Sequence, residues 1–260
     1  MFNKNKNFFE KNGFLIIKSY YSKIFIKTIF NTLVNKYKIL KKIQSKKDLI
    51  ASFNNPNDEE IISDFYNLVK KDISILDILS FKKNKKIVRN LIGHNNFGFL
   101  NRGFGFRLDY PFRNKFLTQL HQDYHAQLGS PNGLVFYTPI TSVKNLYDGP
   151  VVIYQGSHKK GIRKISIKKS YDKSTSYILE LKKNELSNYK KIYLYLDEGD
   201  LAIFHFSLLH ESTLNKSSKL RISFIHRYFD LEHPTSIANK FVGGIHEGNF
   251  FEDKHQNFIV

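Results

Sequence analysis

The residues with the most evident chemistry lie in Leu120-His121-Gln122-Asp123-Tyr124-His125, with a second group downstream in Leu209-His210-Glu211-Ser212 and Leu220-Arg221-Ile222-Ser223. In an extended strand alternate side chains share a face. A strand over Thr118–Asp123 therefore turns His121 and Asp123 the same way and Gln122 the other way. Two imidazoles and one carboxylate on one face suit a non-haem Fe(II) centre, because three positions stay open for co-substrate and O2. A bare H-x-D is common. What strengthens it here is the downstream order of His210, Ser212, then Arg221 eleven residues beyond His210, then Ser223. Two histidines compete for the distal position. His205 differs in parity from His210, so on a regular strand it faces away from the side that His210 faces.

Composition bounds the setting. The chain has 260 residues, 41% hydrophobic and 15% aromatic. That suffices for one sizeable core, so residues 1–260 are expected to form a single domain. Cysteine is absent, which excludes disulfides, thiolate nucleophiles and Cys-ligated zinc or iron–sulfur sites. The apolar run Phe14-Leu15-Ile16-Ile17 stops at Lys18, too short for a signal segment, and no stretch approaches the ~18 apolar residues of a membrane span. A cytoplasmic protein is the expectation. The net charge of +18 invites a nucleic-acid reading. However, the excess is mostly Lys, is scattered along the chain, and accompanies abundant Asn, Ile, Phe and Tyr, the bias of AT-rich coding. A solvated Lys-rich surface is the plainer reading, with attraction for an anionic small-molecule substrate as its functional form.

The elements that must position these residues divide into two parts. Residues 1–12 are polar and basic and read as frayed. Gly13–Ile17 reads as a strand. Ser22 caps a helix to about Ile43, with Phe25, Ile29, Leu33, Tyr37 and Leu40 on one stripe. Residues 44–55 read as a polar connection, Pro56–Glu60 as a helix start, and 73–80 and 86–92 as short helices stopped at Gly93. From about Phe97 short strands dominate: 97–100, 104–108, 118–123, 134–140, 151–154, 192–196, 201–209 and 220–229. Residues 162–190 are Lys/Ser-rich and read as an insertion or lid. The tail from Glu232 has no clear assignment. Helices followed by many strands predict a mainly β fold with flanking α, helices packed on a sandwich or jelly roll.

Together these residues resemble the phytanoyl-CoA dioxygenase family of Fe(II)/2-oxoglutarate oxygenases. The resemblance rests on Asn12-Gly13-Phe14-Leu15-Ile16, Leu91-Ile92-Gly93, His121-Gln122-Asp123, Asp148-Gly149-Pro150 and Gly156-Ser157-His158-Lys159. It continues through Gly199-Asp200-Leu201, Leu209-His210-Glu211-Ser212, Asn215-Lys216-Ser217 and Arg221. It implies a double-stranded β-helix (jelly roll, cupin-like) with the metal at its mouth. It also implies that His121, Asp123 and His210 ligate Fe(II), and that the enzyme hydroxylates a small organic substrate with O2 while 2-oxoglutarate is oxidatively decarboxylated to succinate. Arg221 would hold the far carboxylate of 2-oxoglutarate, since a planar guanidinium gives two parallel charge-assisted bonds. Ser212 resembles the family's second hydroxyl there, and Ser223, on the face of Arg221, adds another. One departure is Leu120, where many relatives carry Trp. Halogenases resembling this family replace the carboxylate ligand with a small residue; here Asp123 is present. An intact ligand set also argues against a binding or regulatory module of the same fold. Arg107, Asp109, Tyr110, Gln122, Tyr124 and Gln127 are candidates to touch substrate, and His125, sharing parity with His121, is a candidate to support the metal or face substrate.

Overall fold

The computed structural model describes residues 2–54, 59–69, 71–72, 78, 81–100, 104–114, 117–169 and 175–260. The N-terminal part forms α1 (Phe2–Asn12), β1 (Phe14–Ile17), α2 (Lys23–Leu40), α3 (Lys46–Asn54), α4 (Glu59–Val69) and α5 (Lys82–Ile92). Strands β2 (Phe97–Phe99) and β3 (Gly105–Asp109) come next, then α6 (Asp123–Gln127), β4 (Gly133–Pro139), β5 (Val151–Tyr154), β6 (Ile165–Lys169) and β7 (Thr175–Leu179). The chain continues through β8 (Lys191–Tyr193), β9 (Leu201–His205), β10 (His210–Ser212) and β11 (Arg221–Asp230), and ends with α7 (Pro234–Ala238) and α8 (Phe251–Lys254).

Six strands make the larger sheet, in the order β1-β9-β4-β11-β2 with β3 also on β11; β10-β5-β8 make the smaller one, and every pairing is antiparallel. Strands β4 and β9 are apolar at nearly every position because both faces of the larger sheet are covered. Leu134, Phe136, Leu201, Ile203, Ile222 and Phe224 pack toward the N-terminal helices. Val135, Tyr137, Ala202 and Phe204 pack toward the smaller sheet, on Val151 and Ile153. This is the expected jelly roll with helices on one side. Alternation along β11 sets which of its side chains enter the barrel. Ile222, Phe224 and Tyr228 join the helical layer, so Arg221, Ser223, Ile225 and Arg227 turn inward.

Several expectations hold locally and several do not. The Ser22 side chain accepts from Phe25 N at 3.1 Å and starts α2, and Gly93 ends α5 in the left-handed conformation at φ 107°. Residues 2–12 are not frayed: α1 forms because Phe9 is buried against the core and Asn12 closes the helix through the Phe8 carbonyl. Residues 46–54 are α3 rather than a loop, since Leu49 and Phe53 reach the same core. The stretch 162–190 holds a hairpin of β6 and β7, which the Lys/Ser composition conceals. Residues 118–123 are not a regular strand: one bridge forms at His121, and Asp123 already begins α6. Residues 56–58, 73–77, 79–80 and 102–103, expected to start a helix, form a helix and form a turn, lie outside the described residues.

One buried group yields a stability prediction. His226 is fully buried among Phe136, Phe224 and Tyr228, at ring centroid distances of 5.0, 5.2 and 5.2 Å, and neither ring nitrogen has a partner. Burial pushes its pKa down to about 3, with Arg227 adding repulsion. The unfolded chain therefore binds a proton below its ordinary pKa of about 6.5 that the folded chain refuses, and stability falls as pH drops from there toward about 3. At up to about 1.4 kcal/mol per pH unit, this group should remove about 2 kcal/mol between pH 6.5 and 5. Urea unfolding at both pH values, for wild type and His226→Phe, checks it: the phenylalanine variant should lose about 2 kcal/mol less. Equal losses in the two proteins would rule the assignment out.

Candidate metal and co-substrate site

The two distant histidines are brought together by backbone pairing. His121 N donates to His210 O at 3.0 Å and His210 N donates to His121 O at 3.1 Å, which places the rings 4.1 Å apart. Gln122 remains extended at φ −115°, ψ 136° before α6 begins. Asp123 therefore still emerges on the side of His121, although by a strand-to-helix junction rather than along a strand. One ligand atom from each of His121, Asp123 and His210 lies within 4.8 Å of the others. His205 stays outside this group: its ring packs on Phe9 and His158.

The surroundings prepare these groups as ligands. Nδ1 of His121 lies 2.8 Å from the Gln119 carbonyl, and Nδ1 of His210 lies 2.9 Å from the Leu208 carbonyl. A carbonyl only accepts, so each Nδ1 carries the proton and each Nε2 keeps its lone pair for a metal. Burial, with His121 nearby, lowers the His210 pKa to about 3, which keeps the ring neutral. Burial alone would raise the Asp123 carboxyl; Arg227 and the two histidines outweigh it and hold the group well below the usual carboxylate range. Arg227 does this from Nε at 2.9 Å to Oδ2 and from Nη2 at 3.3 Å to Oδ1. The donor set, its ionisation and its tautomers fit a divalent iron ion.

A cavity of about 210 Å³ opens beside this group, lined by His121, Asp123, His210, Ser212, Arg107, Arg221 and Arg227 among others. Arg221 is buried, and Asp109 accepts from its Nε at 3.1 Å and its Nη2 at 2.8 Å. Burial would lower the Arg221 pKa, yet Asp109 keeps it raised, so the charge is retained. Arg107 Nε donates to the same carboxylate at 2.8 Å, and its Nη1 donates to Thr118 Oγ1 at 2.8 Å. The pairing with Asp109 uses the side edge of the Arg221 guanidinium. Nη1, at the end edge, is buried and has no hydrogen-bond partner. The Ser223 hydroxyl, on the same face of β11, is likewise buried without a partner, though Ser223 is not among the residues lining the cavity.

The remaining candidates separate. Gln127 lines the cavity. Gln122 is a buried brace, donating to the Gly161 and Ser207 carbonyls at 2.9 and 2.6 Å and accepting from Arg163 N at 2.8 Å. Tyr124 is fully buried, its hydroxyl 2.7 Å from His255 Nε2, and Tyr110 belongs to the helical core. His125 is carried into α6; its Nε2 lies 2.9 Å from the Arg163 carbonyl and its ring packs edge-on to Phe251. Arg227 was not among the sequence candidates. The signal was present, since it shares odd parity with Arg221 and Ser223 on one strand. The engagement of Arg221 by Asp109 had no local signal.

The sequence profile of the phytanoyl-CoA dioxygenase family matches residues 9–223. The chain belongs to this family. No curated protein matches its sequence. Solved structures share the family's fold at low identity. One is the epimerase SnoN in complex with Fe3+, alpha ketoglutarate and nogalamycin RO: 12% identical, covering 92% of this chain and 88% of that one, TM-score 0.62. Another is the carbocyclase SnoK from nogalamycin biosynthesis: 12% identical, covering 93% and 91%, TM-score 0.62. A third is EctD from S. alaskensis with bound Fe: 12% identical, covering 89% and 79%, TM-score 0.64. No helix among the described residues of this family member is long and apolar enough to cross a membrane.

Proposed function

We propose that this protein is an Fe(II)/2-oxoglutarate-dependent dioxygenase that hydroxylates a small organic substrate. The observation that carries the reading is the convergence of His121, Asp123 and His210 within 4.8 Å beside the buried, still charged Arg221. His121 and His210 would hold iron through Nε2, and Asp123 through its carboxylate. Iron so held would bind 2-oxoglutarate and activate O2. Arg221, with Ser212 and Ser223, would hold the far carboxylate of 2-oxoglutarate. Arg227 keeps Asp123 ionised and aimed. The surrounding Val135, Tyr137, Val151, Phe204 and Ile225 exclude water from the reacting groups. One atom of O2 leaves in succinate and the other enters the substrate, with CO2 released.

Hydroxylation is favoured over halogen transfer because Asp123 is retained, so no ligand position is freed for chloride. The family's fold also carries an epimerase and a carbocyclase, so the product decides the outcome on carbon. Fe(II)-dependent release of succinate from 2-oxoglutarate is the first test; its absence would favour a binding module of the same fold. With a substrate that stimulates that release, mass spectrometry of the product made under labelled O2 and high chloride should show one added labelled oxygen. A chlorinated wild-type product would overturn the ligand role of Asp123, and an unlabelled isomer would replace hydroxylation with rearrangement.

A further inference from the structure

A second, larger cavity of about 420 Å³ shares lining residues with the arginine-lined one. Thr118, His121 and Ala126 line both, so the two meet at a candidate ligand of the metal. Their chemistry differs sharply. The smaller cavity holds Arg107, Arg221, Arg227 and Asp123. The larger one has no Lys, Arg, Asp or Glu among its described lining residues, in a chain of net charge +18. Leu117, Leu120, Leu179 and Ile245 give it an apolar lining, and Thr118 and Gln119 add hydroxyl and amide groups. Charged residues behind this wall are engaged elsewhere: Arg163 pairs with Glu185 and Tyr189, and Glu252 accepts from Tyr177 at 3.0 Å.

Three separate elements build the chamber: the segment running into α6, the β6–β7 hairpin and the C-terminal tail. The tail lies beyond residue 223, where the family match ends. It is bound tightly in place. A Cβ on Gly244 would collide with the Ala126 carbonyl, Phe251 is fully buried between Tyr124, His125 and Tyr177, and Val260 N donates to Ile165 O at 3.0 Å. The wall that Ile245 supplies thus belongs to this chain rather than to the matched family region.

We infer that the larger cavity is the substrate chamber, and that it takes an uncharged amphipathic molecule, an apolar body bearing hydroxyl or carbonyl oxygens. This rests on the dioxygenase reading for the meaning of His121. Its volume falls within the range of about 300–1,000 Å³ usual for small-molecule sites. A charged group seated there would give up part of its water and find no Lys, Arg, Asp or Glu among the described lining residues in return. Oxygen atoms and aliphatic carbon, by contrast, find partners. The basic surface therefore does not select the substrate.

Isothermal titration of the full chain, loaded with Fe(II) and 2-oxoglutarate without O2, tests this with octyl glucoside and octyl sulfate, which share a tail and differ in head charge. Leu179→Trp and Ile245→Trp fill the chamber from two elements; Ile178→Trp sits on the exposed opposite face of the same hairpin. The expected result is that octyl glucoside binds wild type and Ile178→Trp alike and weakens at least tenfold, roughly 1.4 kcal/mol, in both chamber variants. Octyl sulfate should bind only through the surface, unaffected by the substitutions and lost by about 0.5 M salt. The inference is overturned if octyl glucoside does not bind, if its binding ignores both chamber substitutions, or if octyl sulfate binds in a salt-resistant way that those substitutions remove. Succinate release by wild type is read separately. Its absence defeats the dioxygenase reading, whereas normal release with the wrong probe pattern defeats the chamber alone.

Discussion

His210→Ala should yield a folded protein that retains little iron and releases no succinate above background. The fold should survive because His210 pairs with His121 through backbone groups, which the substitution leaves intact. The ring itself packs on Phe204 at 4.8 Å, and its loss opens only a small gap. The site does not survive. Two ligands remain of three, and the Nε2 that the Leu208 carbonyl held in its metal-binding tautomer is gone. Supporting residues around a metal typically cost about 10- to 100-fold when removed, and a direct ligand should exceed that. Iron content and succinate release are measured together, with His205→Ala as the internal comparison. That ring lies near Phe9 and His158, away from the cluster, so its removal should leave iron bound. Normal turnover in His210→Ala, or iron loss confined to His205→Ala, would reassign the distal ligand.

For Arg221→Lys the expected result is a KM for 2-oxoglutarate raised by about 10- to 100-fold with iron content unchanged. Lysine keeps the charge but not the planar pair of donors. Losing one charge-assisted contact of about 1.5–3 kcal/mol corresponds to that range. Arg221 also does two things at once: it holds Asp109 through Nε and Nη2, and it lines the cavity. A single ammonium cannot serve both directions. Asp109 stays paired to Arg107 in the variant, so the surrounding strand pair β3–β11 should hold. Iron should remain because Arg221 is not part of the His121, Asp123, His210 group, whose carboxylate is held by Arg227 instead. An unchanged KM would transfer the co-substrate role to Arg107.

By itself the sequence determined what depends on neighbours along the chain. The period of α2, the largely apolar runs of β4 and β9, and the stop at Gly93 are short-range patterns, and each reappears in the structure. So do the ligand types, because an imidazole or a carboxylate is the same donor wherever it is placed. Alternation even oriented Arg221 and Ser223 correctly, and extended by two more positions it reaches Arg227. Tertiary structure decided everything that needs a distant partner. α1 and α3 are helical because Phe9, Leu49 and Phe53 find a core assembled from elsewhere, which local polarity cannot announce. The candidate metal ligands meet because His121 pairs with His210 across the fold, and Asp123 arrives there through a helix start that no strand pattern implies. Asp109 reaches Arg221 only because β3 lies against β11. Net charge carries no position: a chain of +18 gathers three arginines in one cavity and places no described Lys, Arg, Asp or Glu side chain in the next. Coulomb forces and desolvation act over a few ångströms, and only the folded chain sets those distances.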